Sequence, residues 1–160
     1  MKTLQLSLTL FLLTVTSFAQ IDAKKSLDEI RALDGAWAGK ASSGAPVKVD
    51  FRGAAGGSAV MSEIEGHGNM VSMFHLDNDR LLMTHYCNIG NQPRMAASVS
   101  PDGRVLTFNF VDATNLATPD AGHMQQVIFT LIDANHHNEE WTFVDHGKEK
   151  RQVFTLARLP

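Results

Sequence analysis

One cysteine, one tyrosine and five prolines in 160 residues deprive this chain of several common architectures. A single thiol closes no disulfide within the chain, so a disulfide-stapled scaffold is excluded. Acidic residues outnumber basic ones, 17 to 14, so no basic surplus exists to hold a phosphate backbone, and nucleic acid is not an expected partner. Past residue 19 no uninterrupted apolar run approaches the ~20 residues of a spanning helix, which removes the multispan membrane class. Heptads, low-complexity tracts and internal repeats are also missing. What is present is 44% hydrophobic and 19% charged residues, the composition of an ordinary globular domain.

The beginning of the chain reads as an export signal. Lys2 supplies a basic start, Thr3 to Thr16 is an apolar run rich in Leu, and Ser17-Phe18-Ala19 places small residues where a signal peptidase reads them. The expected domains are a signal peptide over 1–19 and a single domain over 20–160. The mature chain of 141 residues has a net charge of −4 after loss of Lys2. The expected location is periplasmic or extracellular, as a monomer or weak oligomer. There Cys87 faces an oxidising compartment, and burial is the expected protection.

Ser26 and Glu29 have the spacing of a capping box, and Leu27, Ile30 and Leu33 recur at helical intervals until Asp34-Gly35. After this short helix the hydrophobic period falls to two. Ten strands are expected: 36–42, 47–52, 58–65, 70–76, 80–87, 94–100, 104–111, 124–132, 139–144 and 151–158. Asp77-Asn78-Asp79 and Pro101-Asp102-Gly103 are hairpin turns, so neighbouring strands are antiparallel. A meander of this length leaves two raw edges unless it closes, which predicts an all-β, up-and-down barrel with a short N-terminal helix.

Two resemblances attach to particular residues. Gly35-Ala36-Trp37, after a short helix and at the start of the first strand, resembles the Gly-x-Trp motif of the calycin superfamily of lipocalins and fatty-acid-binding proteins. That resemblance implies a barrel with an interior ligand site, and it implies that Arg158, from the last strand, packs over Trp37 to close one end. Met73-Phe74-His75-Leu76-Asp77, the string LLMTHYC over 81–87, and Gly90-Asn91-Gln92-Pro93-Arg94-Met95 resemble a pattern in small exported bacterial lipocalin-like proteins. This second kinship transfers no activity. The single Cys departs from the usual lipocalin disulfides.

Pairing Leu76 with Leu81 across the Asp77–Asp79 turn puts Met70, Ser72, Phe74, Leu76, Leu81, Met83, His85 and Cys87 on one face, which we take as the interior. His85 and Cys87 then stand about 6.5 to 7 Å apart on one wall. A Cys/His nucleophile would need an orienting group and oxyanion donors that the sequence does not supply, so no enzyme is expected. Three readings remain: a buried His beside an inert Cys, a soft-metal or haem site using His85, Cys87 and Met, and a ligand cavity in which His85 is a polar handle. The third is preferred, with no cofactor and no metal. Its expected guest is a small apolar or amphipathic molecule lying against Phe74 and Met83, with Arg94, Asn91 and Gln92 at the mouth. Arg94 would there fork onto a carboxylate, or else pair with Asp112. His136-His137 read as solvated residues of a turn between Asp133 and Glu139, and Glu139-Glu140, at the start of the next strand, carry no functional signal. The rival without a ligand is a structural or interaction barrel filled by Phe74, Phe108, Phe110, Trp141 and Phe143.

Overall fold

The computed structural model describes residues 23–66 and 68–160; the expected signal peptide lies outside the described residues. Helix α1 (Ala23–Arg31) is followed by β1 (Gly35–Ala41), β2 (Pro46–Ala54), β3 (Ala59–Glu65), β4 (Met70–Asp77) and β5 (Arg80–Tyr86). Then come β6 (Gln92–Val99), β7 (Val105–Thr114), β8 (His123–Asp133), β9 (His136–Asp145) and β10 (Lys148–Arg158). Each strand pairs with its chain neighbours, and β1 pairs with β10, so the ten strands form one closed antiparallel barrel. Closure satisfies the backbone groups that an open meander leaves at its edges.

The strand directions give the barrel two ends. The starts of β1, β3, β5, β7 and β9 gather at one end with α1, and their other termini form the opposite end. Leu27, Ile30 and Leu33 bury the apolar face of α1, which meets β2, β3, β4 and β5. Ser26 is a correction to the sequence reading. It is the fourth residue of α1 and is buried, so it does not cap the helix from outside.

At the α1 end Trp37 and Arg158 are register partners, and the Arg158 guanidinium carbon lies 4.3 Å from the centre of the Trp37 rings. Arg158 also donates to the carbonyls of Ala32, Asp34 and Ala134, while Trp37 Nε1 donates to Leu33 O at 2.7 Å. Thus one cation over an indole ties the helix exit, the first strand and the β8–β9 turn together. Gly39, two residues on, permits the close approach of β10. A Cβ there would sit 1.8 Å from the carbonyl oxygen of Thr155.

The lumen is packed rather than open through its middle. Phe51, Phe74, Phe108 and Phe129 are fully buried, and edge-to-face contacts run from Phe74 to Phe108 at 5.5 Å and from Phe74 to Phe129 at 5.7 Å. Met83, Met95, Leu106 and Leu156 fill between them. Of the aromatics expected as filling, Phe74, Phe108 and Trp141 are buried, whereas Phe110 and Phe143 are only partly covered.

Candidate functional site

The hairpin of β4 and β5 has the expected register. Leu76 faces Leu81, Phe74 faces Met83 and Ser72 faces His85, and Ser72, Phe74, Leu81, Met83, His85 and Cys87 are buried. Ser72 Oγ lies 3.0 Å from His85 Nδ1 and holds the ring. His85 Nε2 is buried without a hydrogen-bond partner. Burial pushes the pKa of this imidazole down to about 4, so it is neutral at pH 7. The Cys87 thiol is buried and lies 3.7 Å from Asn88 Oδ1.

Opposite His85 stands a polar ladder that sequence reasoning missed. Residues 137, 139 and 141 of β9 share one face, and His137, Glu139 and Trp141 all point inward, 0%, 1% and 4% exposed. Glu139 is hydrogen-bonded to His137 Nε2 at 3.1 Å and accepts from Trp141 Nε1 at 2.9 Å. His137 in turn meets the Trp37 ring edge-on at 4.3 Å, and the Trp141 rings come within 5.0 Å of His85. The expectation that His137 lies in a solvated turn is therefore wrong, and Glu139, expected at a strand start without a role, is buried at the centre of this ladder. The turn is confined to Ala134 and Asn135, and β9 begins at His136. His136 is exposed and bonded to Asp133, and Glu140 pairs with Arg151.

The open end carries a cavity of about 220 Å³. Ile64, Met70, Met124, Trp141, Phe143 and Phe154 make its apolar wall, contributed by strands on opposite sides of the lumen. Lys150, Arg151 and Gln152 of β10 complete it. Lys150 and Gln152 share the parity of the inward residues Phe154 and Leu156, whereas Arg151 is held by Glu140 at 2.7 Å. Lys150 makes no ion pair among the described residues. Clefts of about 280 and 300 Å³ also exist, but they lie outside the barrel wall beside α1.

The β5–β6 loop does not carry the mouth role expected of it. Arg94 projects outward, its side chain 55% exposed, and forks onto Asp112. The buried neighbours Pro93 and Met95 take the inward positions, and strand parity forces Arg94 between them to the outside. Asn91 is buried and donates to Gly122 O at 2.7 Å, pinning the β7–β8 connection. Gln92 accepts from Thr114 and Asn115 and donates to Gly90 O. These two amides tether loops. Of the expected guest contacts, Phe74 and Met83 are sealed in the core, and His85 is separated from the cavity lining by its contact with Trp141.

No group of three or more His, Cys, Asp or Glu side chains able to hold a metal occurs among the described residues. No helix among them is long and apolar enough to cross a membrane. No protein-family model and no curated protein matches this chain.

Proposed function

We propose that this protein is an exported β-barrel that binds a small apolar or amphipathic molecule, and that the site is the open-end cavity rather than the middle of the lumen. The cavity itself carries the reading. Six apolar side chains converge there from opposing walls, while the remainder of the lumen is packed with aromatic and aliphatic groups. Its volume of about 220 Å³ is below the ~300 to 1,000 Å³ of drug-sized sites, which selects a single ring or a short chain. Burying such a body against Phe143, Phe154 and Met124 supplies the hydrophobic driving force. Lys150 offers the rim a cation for a polar substituent, and Gln152, whose Nε2 donates to Ser43 Oγ, adds its amide oxygen. The Gly35-x-Trp37 resemblance to lipocalins and fatty-acid-binding proteins points the same way.

The test is a titration with n-propylbenzene followed by two-dimensional NMR, beside the Met124→Trp variant, which plugs the cavity. Shifts confined to the open-end residues, saturable in the native protein and lost in the variant, are expected. Absence of saturable shifts refutes the reading. Sequencing the N-terminus of native material tests export: Gln20 is the expected first residue, and a retained Met1 overturns it.

A packed lumen also supports a barrel that acts as a structural or interaction domain. Native mass spectrometry of protein purified from its own source separates the two, because only the binding reading expects a co-purifying small mass.

A further inference from the structure

His85 is buried beside the open-end cavity with only half of its polar atoms satisfied, a state it shares with His137 and Asn91, neither of which touches the cavity lining as it does. Ser72 engages Nδ1 at 3.0 Å, the side chain is wholly buried, and Nε2 has no partner. An orphaned ring nitrogen in an apolar interior is costly, and native proteins keep few of them. Its link to the open-end cavity is Trp141, which lines that cavity and whose rings lie 5.0 Å from the imidazole.

We propose that His85 Nε2 is the inner anchor for the guest, reached when the Trp141 indole gives up its bond to Glu139 and tilts aside, and that the group it receives is an uncharged hydroxyl on a small apolar body. This rests on the open-end binding reading and names its ligand class.

The chemistry of the surroundings makes the selection. The same desolvation that keeps the imidazole neutral penalises any ion brought beside it. A carboxylate head would lose its water and find no cation at Nε2. An ammonium head would find the two oxygens of Glu139 already taken by His137 and Trp141. A hydroxyl both donates and accepts, so it completes Nε2 whichever tautomer the Ser72 hydroxyl selects. An alcohol or phenol is therefore preferred over an acid, an amine or a plain hydrocarbon of the same shape.

The experiment compares 4-propylphenol with n-propylbenzene on the native protein and on His85→Phe, with dissociation constants from NMR titration. The preference for the phenol is expected to fall about tenfold in the variant, the loss of roughly one hydrogen bond. In the native protein, the ¹⁵N resonance of His85 Nε2 is expected to move with the phenol and to stay in place with the hydrocarbon. That second measurement needs no substitution and decides the matter if His85→Phe does not fold. An unchanged preference in the variant, or an Nε2 resonance indifferent to the phenol, overturns the hydroxyl anchor and leaves cavity binding standing. Failure of both probes to bind overturns the cavity reading and this inference with it.

Discussion

Replacing Glu139 by Leu is the most informative single perturbation of this barrel. Leu is one bond shorter than the carboxylic side chain but no smaller in volume, so little empty space is created and the cavity contribution to the loss is small. What disappears is the shared partner of two buried groups, Trp141 Nε1–H and His137 Nε2. His137 Nδ1 is already without a partner, so the variant leaves that ring with nothing. At about 1 to 3 kcal/mol for each buried polar group left unpaired, the cost is about 2 to 6 kcal/mol. That is a large share of the ~5 to 15 kcal/mol total expected of a domain this size. Glu139→Gln retains an acceptor for Trp141 and can still meet His137, so about 1 kcal/mol is expected. Urea unfolding followed by far-ultraviolet circular dichroism reads these values without relying on the perturbed Trp141. Combining Glu139→Leu with His137→Phe removes one of the stranded groups, and part of the loss is expected to return. A Leu variant within about 0.5 kcal/mol of native, or a Gln variant as damaged as the Leu one, would refute the ladder as a structural unit.

Trp37→Ala is expected to cost about 3 to 5 kcal/mol in the same assay, because it removes a buried indole and the ring beneath Arg158; a loss near zero would deny the closed end its role. His85 titrates near 4 in the folded state against 6.5 as its ordinary value, so the unfolded chain takes up the proton first as the pH falls. Stability from this residue is therefore fully present above pH 6.5 and declines toward pH 4, by about 3 kcal/mol in all, and His85→Phe is expected to lack that part of the pH dependence. Arg94→Met is expected to leave affinity for 4-propylphenol unchanged, and a weakened affinity would contradict its outward placement. Cys87 is expected to resist thiol reagents until the protein unfolds; rapid labelling of the folded state would show the thiol to be accessible.

The sequence disclosed most where two strands of period two flank a short turn. Between Met70 and Cys87 the turn at Asp77–Asp79 and the period of two together determine which side chains face inward, down to the Ser72–His85 and Phe74–Met83 pairs. The contact of Trp37 with Arg158 was legible through the Gly-x-Trp resemblance rather than through the pattern, and closure of β1 on β10 brings the two together. The polar ladder was hidden by its own chemistry. His136-His137-Asn138-Glu139-Glu140 is five polar residues in succession, and a hydrophobicity pattern starts the strand only at Glu139 and gives its first residues no inward role, even though positions 137 and 139 continue the inward parity of Trp141. The discoverable clue was Trp141 itself, since a buried indole N–H requires an acceptor and Glu139 is the nearest one on its face. Arg94 was misplaced for the opposite reason: its position at a loop exit outweighed the parity of Pro93 and Met95 on either side. The cavity was not legible at all. It arises from where Phe143, Phe154 and Met124 stop filling the lumen, a property of three strands together.

The pairing of β1 with β10 gives the chain a temporal order as well as a shape. Within the barrel, β1 finds β2 as soon as both are made, but its other neighbour is β10, nine strands later, with Trp37 opposite Arg158 and Ala41 opposite Phe154. Until that final segment arrives, two strand edges stay raw, the guanidinium clasp is missing, and no version of the barrel is finished. A copy truncated before Lys148 would remain in that state permanently, its edges available to any other strand it met.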